Sequence, residues 1–157
     1  MSEDASDPCF SDDEERALSA VLDEIIPPSS DGRLPGAGEL GLAHYIEQTQ
    51  RRNPDLTPMI KQGLAAIDDL ACSRSPQGFS ALSKQDRLEV LNDLRSTQPG
   101  FFPSLIFHTY VGYYQNTRVV EALGLEPRPP FPKGYEMEAN DLTLLDGVRQ
   151  RPKLYRA

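Results

Sequence analysis

The segment FFPSLIFHTYVGYY, Phe101 to Tyr114, decides the fold class. Written as a helix opening near Pro103, it is apolar around most of its circumference: Leu105, Ile106, Phe107, Tyr110, Val111, Tyr113 and Tyr114 leave little polar surface. A helix of that kind is either the central element of a helical protein or one with a partner on its outer side. Both readings require other helices to pack against it, and the flanking sequence supplies them.

Upstream, Ser83 opens a fourth helix carrying Leu88, Leu91 and Leu94. Before it, Ile60, Leu64, Ile67 and Ala71 mark the buried stripe of a third, with Thr57 as its cap and Pro58 at a position where a missing N–H costs nothing. A second helix spans about Glu39 to Arg51, with Leu42, Tyr45, Ile46 and Thr49 facing inward. The first starts at Ser11, whose hydroxyl and Glu14 form a capping box. Leu18, Val21, Leu22, Ile25 and Ile26 share one face of it before Pro27 and Pro28 end it. Residues 27–38 are rich in Pro, Ser, Asp and Gly and predict an exposed loop.

Downstream, a short sixth helix from Arg118 to Leu123 is closed by Gly124. Residues 126–134 hold four prolines and Phe131, which predicts an extended arm. Leu142, Leu144, Leu145 and Val148 suggest a last short helix before a basic tail. No run alternates as a strand does. The expected fold is all-α: an irregular bundle of six or seven helices with a proline-rich C-terminal arm. Residues 1–10 read as a disordered acidic arm and 11–157 as a single helical domain, and a chain of 157 residues can bury about 70% of its unfolded surface without staples.

Composition narrows the function classes. A net charge of −8 disfavours nucleic acid, whose phosphates demand a basic stripe. No apolar stretch approaches the ~20 residues of a membrane helix, so no direct membrane insertion is expected. The N-terminus lacks a signal peptide's pattern, which places the chain taken alone in the cytoplasm. The two cysteines, Cys9 and Cys72, read as one tail thiol and one buried thiol, the alternative being a bridge between them or to a partner.

Candidate chemistry is sparse. Gly36, Gly38 and Gly41 spell GxGxxG, but the preceding DGRLP cannot be the hydrophobic strand a dinucleotide site requires. The better reading is a flexible lead-in to the second helix. His44 and His108 lack the Glu-x-x-His and His-Glu-x-x-His patterns of metal helices and are expected to be partly buried and hydrogen-bonded. No GxSxG elbow occurs, and Asp68 and Asp69, adjacent on a helix, diverge by about 100°. No catalytic, cofactor-binding or metal-ligating residue is therefore expected in this chain. The aromatics of the Phe101–Tyr114 segment remain, divided between a core role and a partner-facing patch.

The order of these pieces resembles the gluconate 2-dehydrogenase subunit 3 family. The likeness is carried by LSAVLDEIIPP (Leu18–Pro28), GAGELGLAHYIE (Gly36–Glu47), GLAAIDDLA (Gly63–Ala71), FSALSKQDRLEVLNDL (Phe79–Leu94), FFPSLIFHTYVGYY (Phe101–Tyr114) and PPFPKGY (Pro129–Tyr135). It spans about residues 16–157. The resemblance implies a small helical accessory subunit of a large FAD-dependent sugar or polyol dehydrogenase of the glucose-methanol-choline type. The large subunit would carry FAD and the catalytic histidine, often accompanied by a cytochrome c subunit. The small subunit would assist folding, cofactor loading or export. Contact is expected through the aromatic helix and the proline-rich arm: Phe101, Phe102, Tyr110, Tyr113, Tyr114, Phe131 and Tyr135.

Two features depart from the family pattern. Many members begin with a twin-arginine export signal where this sequence reads MSEDASDPC, so a periplasmic location would need a signal-bearing partner. Some carry a glycine-rich stretch after the GYY segment, where a short helix stands here. The alternative reading is a stand-alone small helical enzyme or a regulatory adaptor.

Overall fold

A computed structural model describes residues 9–129, 134 and 139–152. The chain forms two compact units, Met1–Pro127 and Arg128–Ala157. Among the described residues the secondary structure is helical throughout, as the sequence predicts. The first unit contains α1 (Asp12–Ile25), α2 (Leu42–Arg52), α3 (Leu56–Cys72), a 3-10 turn (Phe79–Ala81), α4 (Lys84–Thr97), α5 (Phe101–Gln115) and α6 (Thr117–Ala122).

Local chemistry explains most of the boundaries. The Ser11 capping box is formed: Ser11 Oγ accepts from the Glu14 N–H, and the Glu14 carboxylate accepts from the Ser11 N–H at 2.8 Å. Ser83 caps α4 by accepting from the Asp86 N–H at 3.2 Å. Asn116 caps α6 through the Arg118 N–H at 3.0 Å. Gly124 follows α6 with φ +78°, a left-handed conformation that favours glycine.

Helix α3 starts earlier than predicted, at Leu56 rather than after Thr57, with Asp55 at the cap position and no side-chain cap bond. Pro58 thereby sits third in the helix. In α5, Pro103 occupies the same third place. An N–H there has no intrahelical acceptor, so proline removes nothing.

Helix α5 is central: it touches α1, α2, α3 and α6. Two glycines set how closely. Gly63 of α3 lies under the Phe101 ring, so that a Cβ at Gly63 would overlap the ring. Gly112 of α5 lies under Tyr45 of α2, where a Cβ would come within 2.7 Å of Tyr45 Cδ1. Leu18, Val21, Leu22, Ile46, Ile60, Leu64, Ile67, Leu94 and Leu105 fill the space around these contacts. Each such side chain contributes about 1.5–3 kcal/mol by leaving water.

The inward faces differ from expectation in two places. In α2 the buried residues are Leu42, Ala43, Ile46 and Gln50, with Tyr45 and Thr49 only partly covered. In α4 they are Val90, Leu91 and Leu94, and Leu88 stands 42% exposed. At 100° per residue Leu88 falls off the edge of that stripe. A partly covered ion pair, Arg87 Nη2 to Glu24 Oε1 at 2.9 Å, ties α4 to α1.

The segment read as an exposed loop is exposed only in its first half. Pro35, Gly36 and Ala37 are buried. The Ala37 N–H donates to Ile26 O at 2.9 Å, the Gly38 N–H donates to Asp23 Oδ1 at 2.7 Å, and Tyr113 donates its hydroxyl proton to Pro35 O at 2.8 Å. Gly36 and Gly38 are small because Asp23 and the Ser19 carbonyl stand where their Cβ atoms would be. The predicted flexible lead-in is instead a stretch pinned by α1 and α5. Residues 1–8 of the N-terminal arm lie outside the described residues. Phe10, at 6% exposure, packs in the core, and the Cys9 N–H donates to Glu47 Oε1 at 2.8 Å.

In the second unit a 3-10 turn (Leu142–Leu145) leads into α7 (Asp146–Arg149). Asp141 caps the turn by accepting from the Thr143 N–H at 3.0 Å. None of the residues of either element is buried. Phe131 lies outside the described residues.

Two variants test this packing. Replacing a mid-helix glycine by alanine ordinarily stabilises by about 1 kcal/mol. At Gly63 the clash with Phe101 should outweigh that, and Gly63→Ala should lose about 1–3 kcal/mol in urea unfolding, with part recovered in Gly63→Ala/Phe101→Leu. A neutral or stabilised Gly63→Ala would disprove the close approach. Tyr113→Phe should cost about 1–3 kcal/mol by leaving the buried Pro35 carbonyl without its donor, while Tyr114→Phe should change stability by less than about 0.5 kcal/mol.

Candidate partner-binding surface

Because α5 advances 100° per residue, its apolar residues separate into two faces. Phe101, Leu105, Thr109, Gly112 and Tyr113 are buried on one. The polar member, Thr109, is satisfied by donating to Leu105 O at 2.7 Å. Away from that buried face Ile106, Tyr110 and Tyr114 recur every four residues, with Phe107 beside them and Phe102 at the edge, packed partly against the core. Phe102 is half-buried, whereas Ile106 is 39%, Phe107 62%, Tyr110 46% and Tyr114 52% exposed.

Among the described residues of the first unit, seven large hydrophobic side chains are exposed, and four of these are on this one face. A fifth, Leu88, lies across a trough of about 520 Å³ between α4 and the start of α5, whose walls include Phe102 and Ile106. Apolar residues scattered singly over a surface need no explanation, but a contiguous group of them marks a contact site. The face is also partly ordered in advance: the Tyr110 and Tyr114 rings stack with centroids 6.0 Å apart and planes 20° from parallel. Rings held in this way lose less freedom on binding.

The expected contact residues are thus divided by the structure. Tyr110 and Tyr114 lie on the open face, and Phe102 stands half-buried at its edge. Phe101 and Tyr113, at 1% and 2% exposure, belong to the core, because they share the turn positions of Leu105 and Thr109. Burial pushes the Tyr113 phenol above its ordinary pKa, which keeps it a donor to Pro35. Phe131 and Tyr135 lie outside the described residues. Ile106 and Leu88 were not among the expected contacts, and Phe107 belonged to the aromatic cluster without being one of the seven, although the four-residue spacing from Phe102 to Ile106, Tyr110 and Tyr114 was there to be read.

The other candidates for chemistry have structural roles. In GAGELG the Gly38 N–H already points at the Asp23 carboxylate, which occupies the place a phosphate would need. His44 is exposed, contrary to expectation, with a ring nitrogen 2.8 Å from Gln48 Nε2. His108 is half-buried, and burial holds its pKa below the usual value. Cys72 is exposed rather than buried, because it falls beyond the Ile60-to-Ala71 stripe. Partial desolvation and then the neighbouring Asp68 raise its thiol pKa, the opposite of an activated thiolate.

A second trough, of about 680 Å³, runs beside the start of α1 and the end of α3 and is lined by Asp13, Glu14, Arg16 and Asp68. Its charges are engaged locally: Arg16 pairs with Asp13, Glu14 with the Ser11 N–H, and Asp68 accepts from Cys72 at 3.6 Å. Among the described residues no three His, Cys, Asp or Glu side chains gather as a metal site, and no helix is long and apolar enough to cross a membrane.

The family model for gluconate 2-dehydrogenase subunit 3 matches residues 12–126. It opens on the first residue of α1 and closes just past α6, so the PPFPKGY segment lies beyond it. No curated protein and no solved structure matches the chain. The matched region takes in all six helices of the first unit, the pinned glycine loop and the whole of α5, and the chain belongs to the gluconate 2-dehydrogenase subunit 3 family.

Proposed function

We propose that this chain is the non-catalytic small subunit of a dehydrogenase complex, one that binds, stabilises or matures a large FAD-dependent subunit of the glucose-methanol-choline type. The partner holds FAD and carries out sugar or polyol oxidation, with a cytochrome c subunit as the onward electron acceptor where the complex has one. The observation that carries the reading is the outer face of α5: Phe102, Ile106, Phe107, Tyr110 and Tyr114, on an otherwise well-packed unit. The family's name, that of a dehydrogenase subunit, supports a protein partner for that face.

Its chemistry supports the same occupant. Tyrosines offering an apolar ring and a wet hydroxyl are enriched at protein interfaces, and contact energy concentrates in a few central aromatics.

A tagged chain purified from its native host should come down as a yellow complex whose second component is a flavoprotein of this class. A colourless, stable monomer obtained under mild conditions would contradict the proposal. Phe107→Asp/Tyr110→Asp should lower affinity for the flavoprotein by about 30-fold or more, as expected when an aromatic anchor worth ≥2 kcal/mol is lost. Far-UV circular dichroism and thermal midpoint should match those of the parent chain, since neither side chain is in the core. Undiminished binding by that variant would exclude this face.

A further inference from the structure

The trough between α4 and α5 differs from the rest of the surface in charge as well as in polarity. The chain is strongly acidic overall, at −8, yet among the nine residues lining the trough the one ionised side chain is Arg95. Four other arginines of the first unit are neutralised within the chain. Arg74 pairs with Asp93 at 3.1 Å, Arg87 with Glu24 at 2.9 Å and Arg118 with Glu39 at 3.2 Å, while Arg16 pairs with Asp13. Among the described residues Arg95 has no carboxylate within ion-pair distance.

The walls beside it are apolar. Leu88 and Leu91 of α4 face Phe102, Pro103 and Ile106 of α5, with Leu88 and Ile106 still 42% and 39% exposed. At about 520 Å³ the trough has room for one or two large side chains. It is continuous with the outer face of α5, since Phe102 and Ile106 belong to both.

We infer that this trough seats a segment of the large subunit presenting a bulky apolar side chain with an aspartate or glutamate beside it. The apolar group enters between Leu88, Phe102 and Ile106, and the carboxylate pairs with Arg95. The argument is charge complementarity. A guanidinium beside an apolar trough, with no carboxylate partner among the described residues of an acidic chain, selects an anionic group on the occupant and penalises a basic one. Apolar burial supplies affinity, and the ion pair fixes which segment enters and in which register. This inference rests on the proposed function, because it names the chemistry of the partner at one end of the same surface.

The test uses the flavoprotein complex isolated from the native host. The photo-cross-linker p-benzoylphenylalanine is placed at Asn92, on the rim of the trough, or at Tyr114, at the far end of α5. From Asn92 the cross-link should fall on a large-subunit peptide containing Asp or Glu within a few residues of the attachment point. Arg95→Glu should weaken the complex about tenfold or more, and changing that acidic residue of the large subunit to Arg should restore binding to Arg95→Glu. A Tyr114 cross-link with none from Asn92, an Asn92 cross-link to a second copy of this chain, or parental affinity in Arg95→Glu would overturn the trough assignment and leave the proposed function standing. If no flavoprotein co-purifies with the parent chain, both are overturned.

Discussion

The rotation of α5 about its own axis is fixed by two pegs. At its start the Phe101 ring lies over Gly63 of α3, and three turns later Gly112 receives the Tyr45 ring of α2. Either glycine with a side chain would push the helices apart, and the two together leave α5 one orientation. That orientation sends Leu105, Thr109 and Tyr113 inward and Ile106, Phe107, Tyr110 and Tyr114 outward. The Tyr113 hydroxyl then reaches the Pro35 carbonyl, and the loop it holds is also latched to α1 through Asp23. An apolar helix of this kind can bury only as much of its circumference as its own chain covers, and here a full stripe is left over.

Charge is distributed to the same effect. The acidic excess is partly absorbed by caps and by ion pairs between elements, such as Glu24 with Arg87 and Glu39 with Arg118. The Glu39–Arg118 pair is exposed and contributes little stability, roughly 0–1 kcal/mol, but both pairs determine which charges remain available to a partner. Between α4 and α5 the availability is inverted, with a single cation set in apolar surroundings. Net negative charge disfavours random association, while the residues lining the trough between α4 and α5 include no acidic side chain.

Much of the fold is legible in the sequence because its signals are local. The Ser11 and Ser83 caps, the Pro27 stop and the Ile60-to-Ala71 stripe each depend on residues within one or two turns. What the sequence misplaces depends on contacts distant along the chain. Whether Leu88 or Val90 faces inward is decided by where α3 lies. The glycines of GAGELG read as freedom of conformation, yet Gly36 and Gly38 are required by the proximity of Asp23, more than a dozen residues earlier. The surface was half legible for the same reason: composition marks Phe101 to Tyr114 as a cluster, but only the glycine pegs say that Phe101 and Tyr113 are core and Tyr110 and Tyr114 are not.

The central claim is that the outer face of α5 is covered in the working assembly, and hydroxyl-radical footprinting tests it most directly. Side-chain oxidation would be compared between the isolated chain and the complex purified from the native host, with Leu123 and Leu125, exposed apolar residues just after α6, as internal references. The account predicts that Phe107, Tyr110 and Tyr114 oxidise readily in the isolated chain and are strongly protected in the complex, while the two leucines change little. Equal oxidation of the α5 aromatics in both states would contradict it.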